Sequence, residues 1–595
     1  MKFFKIFGAA LLACIVSGVI GFLFWLILIF SAAGLFGSSE VIIEPNTIIK
    51  MELDEYFSEA PQSDPFGQFD INTMQMKSSL TLLDALTAIE AAAEDDNIEG
   101  IYLRPSMLST VSTAALEEIR VALEGFKKSG KFIIAYNDIY TQGGYYLSSV
   151  ADKVYVQPEG TLIWQGMASS TMFFKGLLDK LDISMEVFRP TACKYKSAVE
   201  PFILDKMSSA NRAQMEQLMG SMWSTIASDV ALSRGLSLED VNHIADKLIC
   251  MDVSDALASR MVDGLIYEDE LPAKFREAGA NIDEEDEDIN YISFGSYATT
   301  AVANRQSIGA EKVAIIYAEG SIVDGEGSDA KVYGNSTAAT IRKARLDDEI
   351  KAVVLRVNSP GGSALASDVM WRELELLRQE KPLVVSMGSY AASGGYYISA
   401  PADVIITNRL TLTGSIGVFG MMPNIEKALK TKLGITFDGV ETNTSADFLT
   451  SLKGLSPYEK GVMVKSVDKV YTRFTTLVSE GRNLPLEKVL EIAQGRVWSG
   501  TEAVELGLAD DIGGLREAIT IAIDKAGIEG KYRIVEMTAE PTGLSALLST
   551  VEGSIKALTR TQDPVATQYQ EIIEAFEPLN TKNGMVMYSP YSVKF

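Results

Sequence analysis

One histidine and three cysteines in 595 residues leave few of the usual means of building a metal centre or a catalytic triad. Zinc-type sites draw several ligands from His and Cys, so His243 with the scattered Cys14, Cys193 and Cys250 excludes one. Neither a metal nor a cofactor is expected. Positive charge is also scarce. Against 79 acidic side chains there are 53 Lys and Arg, a net −26, so the surface repels phosphate backbones and nucleic acid is excluded as a partner. Apolar residues are plentiful. At 47% hydrophobic the chain is not disordered, and its length allows several domains with cores of their own.

The longest apolar stretch comes first. Residues Ile6 to Ser39 carry no charge, whereas about 20 apolar residues suffice to cross a bilayer. Lys2 and Lys5 precede the stretch, and Glu40 and Glu44 follow it. The positive-inside rule then keeps the amino terminus in the cytoplasm and sends the body across. A cleaved signal peptide is the competing reading, with Ser31-Ala32-Ala33 as the cleavage site. Its apolar region would normally span about 7–15 residues, so an uncleaved single-pass anchor is expected. In a bacterium this sets the chain in the inner (cytoplasmic) membrane with its body in the periplasm. That compartment permits a Cys193–Cys250 disulfide without requiring one.

Self-comparison exposes a duplication. Ile98–Arg104 reads like Ile350–Arg356, and Gly143-Gly-Tyr-Tyr146 recurs as Gly394-Gly-Tyr-Tyr397. Ala151-Asp152 recurs as Ala402-Asp403, and Arg234–Val241 matches Arg482–Val489. The offsets are 252, 251, 251 and 248, an order and spacing that chance similarity does not keep. The expected layout is a cytoplasmic tip and anchor (1–39), a first repeat (40–290), a second repeat (291–540) and a tail (541–595). The acidic run Asp283–Asp288 reads as a solvated linker between the repeats.

Each repeat alternates β-branched runs with amphipathic helices. In the second, Lys312–Tyr317, Ala352–Val357 and Leu383–Ser386 read as strands and Ser363–Arg378 as a helix. Long helices are expected over Asn211–Ser233 and Pro457–Gly481. This is an α/β fold of tandem βαβ domains around mostly parallel sheets. Two Gly-rich junctions, Asn358–Ser363 and Ala391–Tyr396, fall at the carboxyl ends of strands, where such sheets place their sites. Ser393 would stand on a tight turn. Backbone N–H groups of Gly361, Gly362 and Gly394 would converge as an oxyanion hole. One such junction is more often a mere turn, but two side by side favour a site.

A serine nucleophile needs a base. His243 reads as a solvated helix residue, so a Ser-His-Asp triad is excluded and a Ser-Lys dyad remains. Ser359-Pro-Gly-Gly362, Ser389–Tyr396, Thr413-Gly-Ser-Ile-Gly417 and Lys194–Pro201, in this order and spacing, resemble the S49 peptidases, in the long, duplicated form of signal peptide peptidase A. The resemblance covers nearly the whole chain. It implies a fold similar to the ClpP/crotonase superfamily, Ser393 as nucleophile and Lys196 as general base, with Lys194 as the neighbour to be told apart from it. It also implies cleaved signal peptides as substrates and a bowl-shaped homo-oligomer, a tetramer.

The repeats themselves point the same way. Gln142 stands at the position of Ser393, Ser106-Met-Leu108 replaces the glycines of the oxyanion loop, and Phe448 stands at the position of Lys196. Each half lacks what the other retains, which one composite site explains. Lysine ordinarily titrates near 10.4, so burial must depress it, against the pull of an acidic surface. Ser415 is the candidate to orient the amine. If the segment around Lys196 is extended, Lys194 shares its face. Exposed strand edges suit extended, apolar peptides. Two other classes remain open on the residues: a crotonase-like acyl-CoA enzyme, which a periplasmic body disfavours, and a non-catalytic membrane scaffold, which retention of both Ser393 and Lys196 disfavours.

Overall fold

The computed structural model describes residues 17–18, 21, 43–53, 57–61, 69–70, 75–76, 80–105, 111–282, 289–305, 311–327, 330–539 and 585–588. The described residues from Asn46 onward fall in one compact unit. The expected membrane anchor lies outside the described residues, save Ser17, Gly18 and Gly21, which are helical. Among the described residues no helix is long and apolar enough to cross a membrane. The acidic linker and the segment Ser106–Leu108 also lie outside them.

The duplication is visible in the sheets. The first runs, in spatial order, Gly264–Leu265, Lys153–Leu162, Phe132–Tyr140, Ile98–Leu103, Thr47–Met51 and Tyr291–Ser293, every pair parallel. The second repeats this order with Asp511–Ile512, Val404–Thr407, Leu383–Ala392, Ile350–Ser359, Glu311–Glu319 and Tyr532–Met537, these six again parallel, and adds Leu412–Gly414 beside the end of Leu383–Ala392 with Val497–Ser499 antiparallel to it. The last strand of the first sheet therefore lies just past residue 290.

Side-chain ties repeat as well. Tyr145 Oη donates to Met261 O at 2.6 Å, and Tyr396 Oη to Leu508 O at 2.8 Å. Asp152 and Asp403 each accept a backbone N–H at the start of a neighbouring strand, from Ile133 and Leu383. Arg234 pairs with Asp263 as Arg482 pairs with Asp510.

The strands are apolar on both faces because both faces are covered. In the second sheet Ala314, Ile316, Val353, Leu355 and Val385 face the layer that includes Ala364–Arg378 and Pro457–Gly481. Val313, Ile315, Val354 and Val384 face Leu515–Ala526 and, from the first repeat, Leu83. Parallel sheets enclosed in this way read as continuous hydrophobic runs. The expected strands over 312–317 and 352–357 are observed slightly longer. The strand expected over Leu383–Ser386 continues to Ala392. Gly388, Ser389 and the alanines have weak strand preference, but strands on both sides supply the hydrogen bonds that hold them extended. The long helices run Ser209–Arg234 and Pro457–Gly481. Ser208 caps the first, Gly235 closes it in the left-handed conformation, and Ser456 with Glu459 forms a capping box on the second.

A third sheet joins the repeats. Its order is Val332–Tyr333, Ile322–Val323, Gly361–Ser363, Met585–Tyr588, Phe419–Asn424 and Ser184–Phe188, the last strand coming from the first repeat. A buried ion cluster adds to the joint: Arg356 of the second repeat bonds Glu59 at 2.9 Å and Glu118 at 2.8 Å, all three side chains at most 5% exposed.

Candidate active site

The serine turn begins where the strand Leu383–Ala392 ends. Ser393 precedes the short helix Gly394–Ser399 with φ 55° and ψ −111°, a conformation costly for a residue with a side chain. Neighbours hold it there. Its N–H donates to Gly414 O at 2.8 Å, and its carbonyl accepts from Tyr397 N at 2.8 Å. The hydroxyl makes no capping bond to the helix, which leaves it to point elsewhere.

Lys196 comes from the first repeat and meets it. The Nζ lies 2.7 Å from Ser393 Oγ, 2.9 Å from Ser415 Oγ and 3.0 Å from Ser415 O. Both Lys196 and Ser393 are fully buried. The turn that presents the lysine is pinned from two sides. Gln214, on the long first-repeat helix, donates to Tyr195 O at 3.0 Å and to Ser197 Oγ at 3.1 Å. Tyr195 N donates to Gln494 O at 3.1 Å, and a Cβ on Gly495 would stand 2.6 Å from Lys196 Cβ. Gly495 is therefore what lets the second repeat's loop lie flat against the lysine.

Burial governs the amine. It pulls Lys196 from the ordinary lysine value down to about 7, with only Cys193 acting against it. The acidic surface expected to oppose this shift contributes no carboxylate to the site. Cys193, itself buried, has its thiol pushed up to about 11 and stays neutral. A neutral amine has two N–H donors and one lone pair. In that form, with Ser415 O and Oγ accepting the two N–H groups, the lone pair would face the Ser393 hydroxyl. Ser415 is fixed for this by a positive φ of 49° and by its N–H bond to Arg496 O at 2.7 Å.

The glycine loop closes the other side. A Cβ on Gly394 would lie 3.2 Å from both Gly361 Cα and Gly362 N, which places that loop against the serine turn. At Gly362 a Cβ would overlap Ile322 O. The Gly361 N–H donates to Ser359 Oγ at 3.2 Å, so one of the three expected donors is engaged within the loop itself.

Other sequence expectations resolve individually. Lys194 does not share the face of Lys196: the chain turns between them, and Lys194 is exposed with its Nζ 5.0 Å from the Tyr195 ring centroid. His243 is exposed on the helix Leu238–Lys247. Gln142, at the position of Ser393, begins the helix Gln142–Ser148 and accepts from the backbone N–H groups of Gln165 and Gly166. Phe448 packs against the second repeat's core. Cys193 and Cys250 are both buried free thiols, not a disulfide. Among the described residues no group of His, Cys, Asp and Glu is placed to hold a metal ion. Sequence reading missed Gln214, Gly495 and the Arg356 cluster. Only Gly495, in a loop after the helix Leu486–Ile492, carried a local signal.

Comparison with known proteins assigns the family. The model of peptidase family S49 matches twice, at residues 125–283 and 375–529. Protease 4 of Salmonella typhi is 38% identical over 489 residues, 80% of this chain and 77% of that protein. Serine protease SPPA, chloroplastic, of Arabidopsis thaliana is 32% identical over 495 residues, 82% of this chain and 72% of the relative. The putative signal peptide peptidase SppA of Enterococcus faecium matches 49% of this chain and 84% of its own length at 31% identity. A doubled family match over a doubled fold, with relatives aligned along most of its length, establishes that the chain belongs to peptidase family S49 and is a serine endopeptidase.

Proposed function

We propose that Ser393 is the nucleophile and Lys196 the general base of one composite site, and that the protein degrades cleaved signal peptides and similar apolar peptides at the membrane. The observation that carries the dyad is the 2.7 Å approach of a buried, near-neutral amine to a serine hydroxyl with no other strong partner. Neutral Lys196 takes the Ser393 proton as Oγ attacks the peptide carbonyl. The Gly362 and Gly394 amides stabilise the oxyanion, and Ser415 holds the amine in line. The resulting ammonium gives its proton to the leaving amine. Water then attacks the acyl-enzyme, with Lys196 again as base, and frees Ser393. His243 has no part in either step.

The membrane reading rests on residues 6–39 and the flanking Lys2 and Lys5, which favour a single-pass anchor in the bacterial inner membrane and a periplasmic body. Signal peptides are apolar and are released at the bilayer, so an anchored peptidase meets them there. The name of the Enterococcus relative supports that substrate class. Exposed Leu433, Ile435 and Phe437 offer an apolar surface for association into a homo-oligomer, a tetramer in this reading. Incubating the membrane-inserted protein with a synthetic signal peptide tests substrate and mechanism together. Fragments are expected from wild type and none from Ser393→Ala.

A further inference from the structure

Glu200, in the string Lys194–Pro201, is buried and has no part in the mechanism above. Its Oε2 accepts from Ser208 N at 3.1 Å and from Asn211 Nδ2 at 3.0 Å. Asn211 Oδ1 accepts from Gln214 Nε2 at 3.2 Å, and Gln214 Nε2 also donates to Tyr195 O and Ser197 Oγ, on either side of Lys196. Gln214 Oε1 accepts from Val497 N, in the second repeat, at 3.4 Å. A carboxylate oxygen taking two N–H groups acts as acceptor only, whereas an amide has a donor end and an acceptor end. Glu200 therefore sets which way Asn211 points, and Asn211 sets which way Gln214 points. All three side chains are at most 3% exposed, so an unmade bond among them is costly.

This series ends on the strands that carry the rest of the site. Val497–Ser499 runs antiparallel to Leu412–Gly414, with Val497 opposite Gly414. Gly414 O receives Ser393 N, and Arg496 O receives Ser415 N. Lys196 has no such support from a regular element. It lies outside any helix or strand, at φ −76° and ψ 80°, just before the short turn Ser197–Val199, which has no side-chain cap. Its amine sits on a flexible four-carbon stem, so the 2.7 Å approach to Ser393 holds only while the backbone at 195–197 is fixed. Misplacing a reacting group by about 1 Å can cost about 100-fold in rate.

We propose that Glu200, Asn211 and Gln214 are positioning residues, one buried brace that ties the lysine turn to the strand pair holding Ser393 and Ser415 and so keeps the general base in reach of the nucleophile. The brace acts through Lys196. This inference rests on the dyad proposed above.

The test follows turnover of a fluorogenic apolar peptide and the pH profile of Ser393 acylation in the full chain. Gln214→Met keeps the side chain's length and removes its amide. It should lower kcat about 10–100-fold with KM within about twofold, and the acylation midpoint should rise from near 7 as water reaches the amine. Cys193, Arg189, Glu200, Tyr471 and Arg496, the titratable and charged groups around the turn, are unaltered in this variant, so a shifted midpoint reports the amine's loss of burial. In a Lys196→Ala background the same substitution should change the residual acylation rate by less than about twofold, because no base is left to misplace. Ser221→Ala removes the bond from the same helix to Ser499 Oγ and should leave kcat and the midpoint unchanged. Gln214→Asn keeps a buried amide that is one methylene too short to span the turn and Val497. It should show the same pattern more weakly, and it decides alone if Gln214→Met does not fold. Wild-type kcat and midpoint in folded Gln214→Met, or an equal loss with and without Lys196, would overturn the brace while the dyad stands. Full turnover in Lys196→Ala would overturn the dyad instead.

Discussion

The two repeats share one sheet order and the same internal ties, yet they spend equivalent positions differently. Arg104 and Arg356 occupy the same register. Arg104 is partly exposed and bonds Asp138 and Glu268, both more than half exposed, at the rim of the first sheet. Arg356 is sealed between the repeats with Glu59 and Glu118. Gln142 closes a backbone loop where Ser393 faces a lysine. Duplication thus preserved what builds a domain and freed what sits at the carboxyl ends of the strands. One copy kept the turn that strains a serine, and the other kept the loop that buries a lysine. In the proposed mechanism neither half performs the chemistry alone, because the lysine is enclosed, and its amine depressed, only where both meet.

The largest expected effect breaks that pairing. Ser393→Ala and Lys196→Ala should each lower peptidase kcat by at least about 10³-fold, and the double variant by no more than either alone, since the two act as a unit. Lys196→Arg should be equally inactive because guanidinium stays protonated. Rates on the fluorogenic peptide, with circular dichroism to confirm folding, check this.

Next comes the contrast between equivalent arginines. Arg356→Ala leaves two buried carboxylates unpaired and should cost about 3–5 kcal/mol in urea unfolding. Arg104→Ala removes rim pairs and should cost about 1 kcal/mol or less.

Lys196 also has a signature in stability. Its folded value, near 7, lies below that of the unfolded chain, so wild-type folding expels a proton between pH 7 and the ordinary lysine value. The wild type should gain stability relative to Lys196→Met as pH rises through that window, and the gap should be widest below pH 7. Melting temperatures of the two proteins against pH measure it.

Ser415→Ala removes one of the two acceptors that aim the amine and should lower kcat about 10–100-fold, with smaller change in KM. The smallest effect is the sharpest control: Lys194→Ala and His243→Ala should leave activity within about twofold, since both side chains are exposed.

Much of this was readable in advance for a physical reason. Buried parallel strands must be apolar, strand–helix turns in such sheets need glycine, and a duplicated chain supplies its own alignment, so Ser393, Gly362 and the complementary losses at Gln142 and Phe448 stood out. The strand Leu383–Ala392 runs longer than its sequence suggests because its last residues owe their conformation to neighbouring strands. Gln214 and the Glu59–Arg356–Glu118 cluster were invisible because nothing local marks a polar residue whose partners lie far off in sequence; Glu59 is 297 residues from Arg356. Lys194 and Lys196 could not be told apart by periodicity, since the segment is a turn and not a strand. The pairing of residues 585–588 with the glycine loop had no counterpart in the first repeat from which to infer it.

The most direct measurement is the pH dependence of Ser393 acylation by a small serine-reactive probe, followed by mass spectrometry of the intact protein. In the wild type the rate should rise with pH through a midpoint near 7 and then level, because the deprotonated amine is the active form. In Lys196→Ala that rise should vanish with the rate. A profile with the same midpoint in Lys196→Ala, or one abolished by His243→Ala instead, would contradict the Ser-Lys site shared between the repeats.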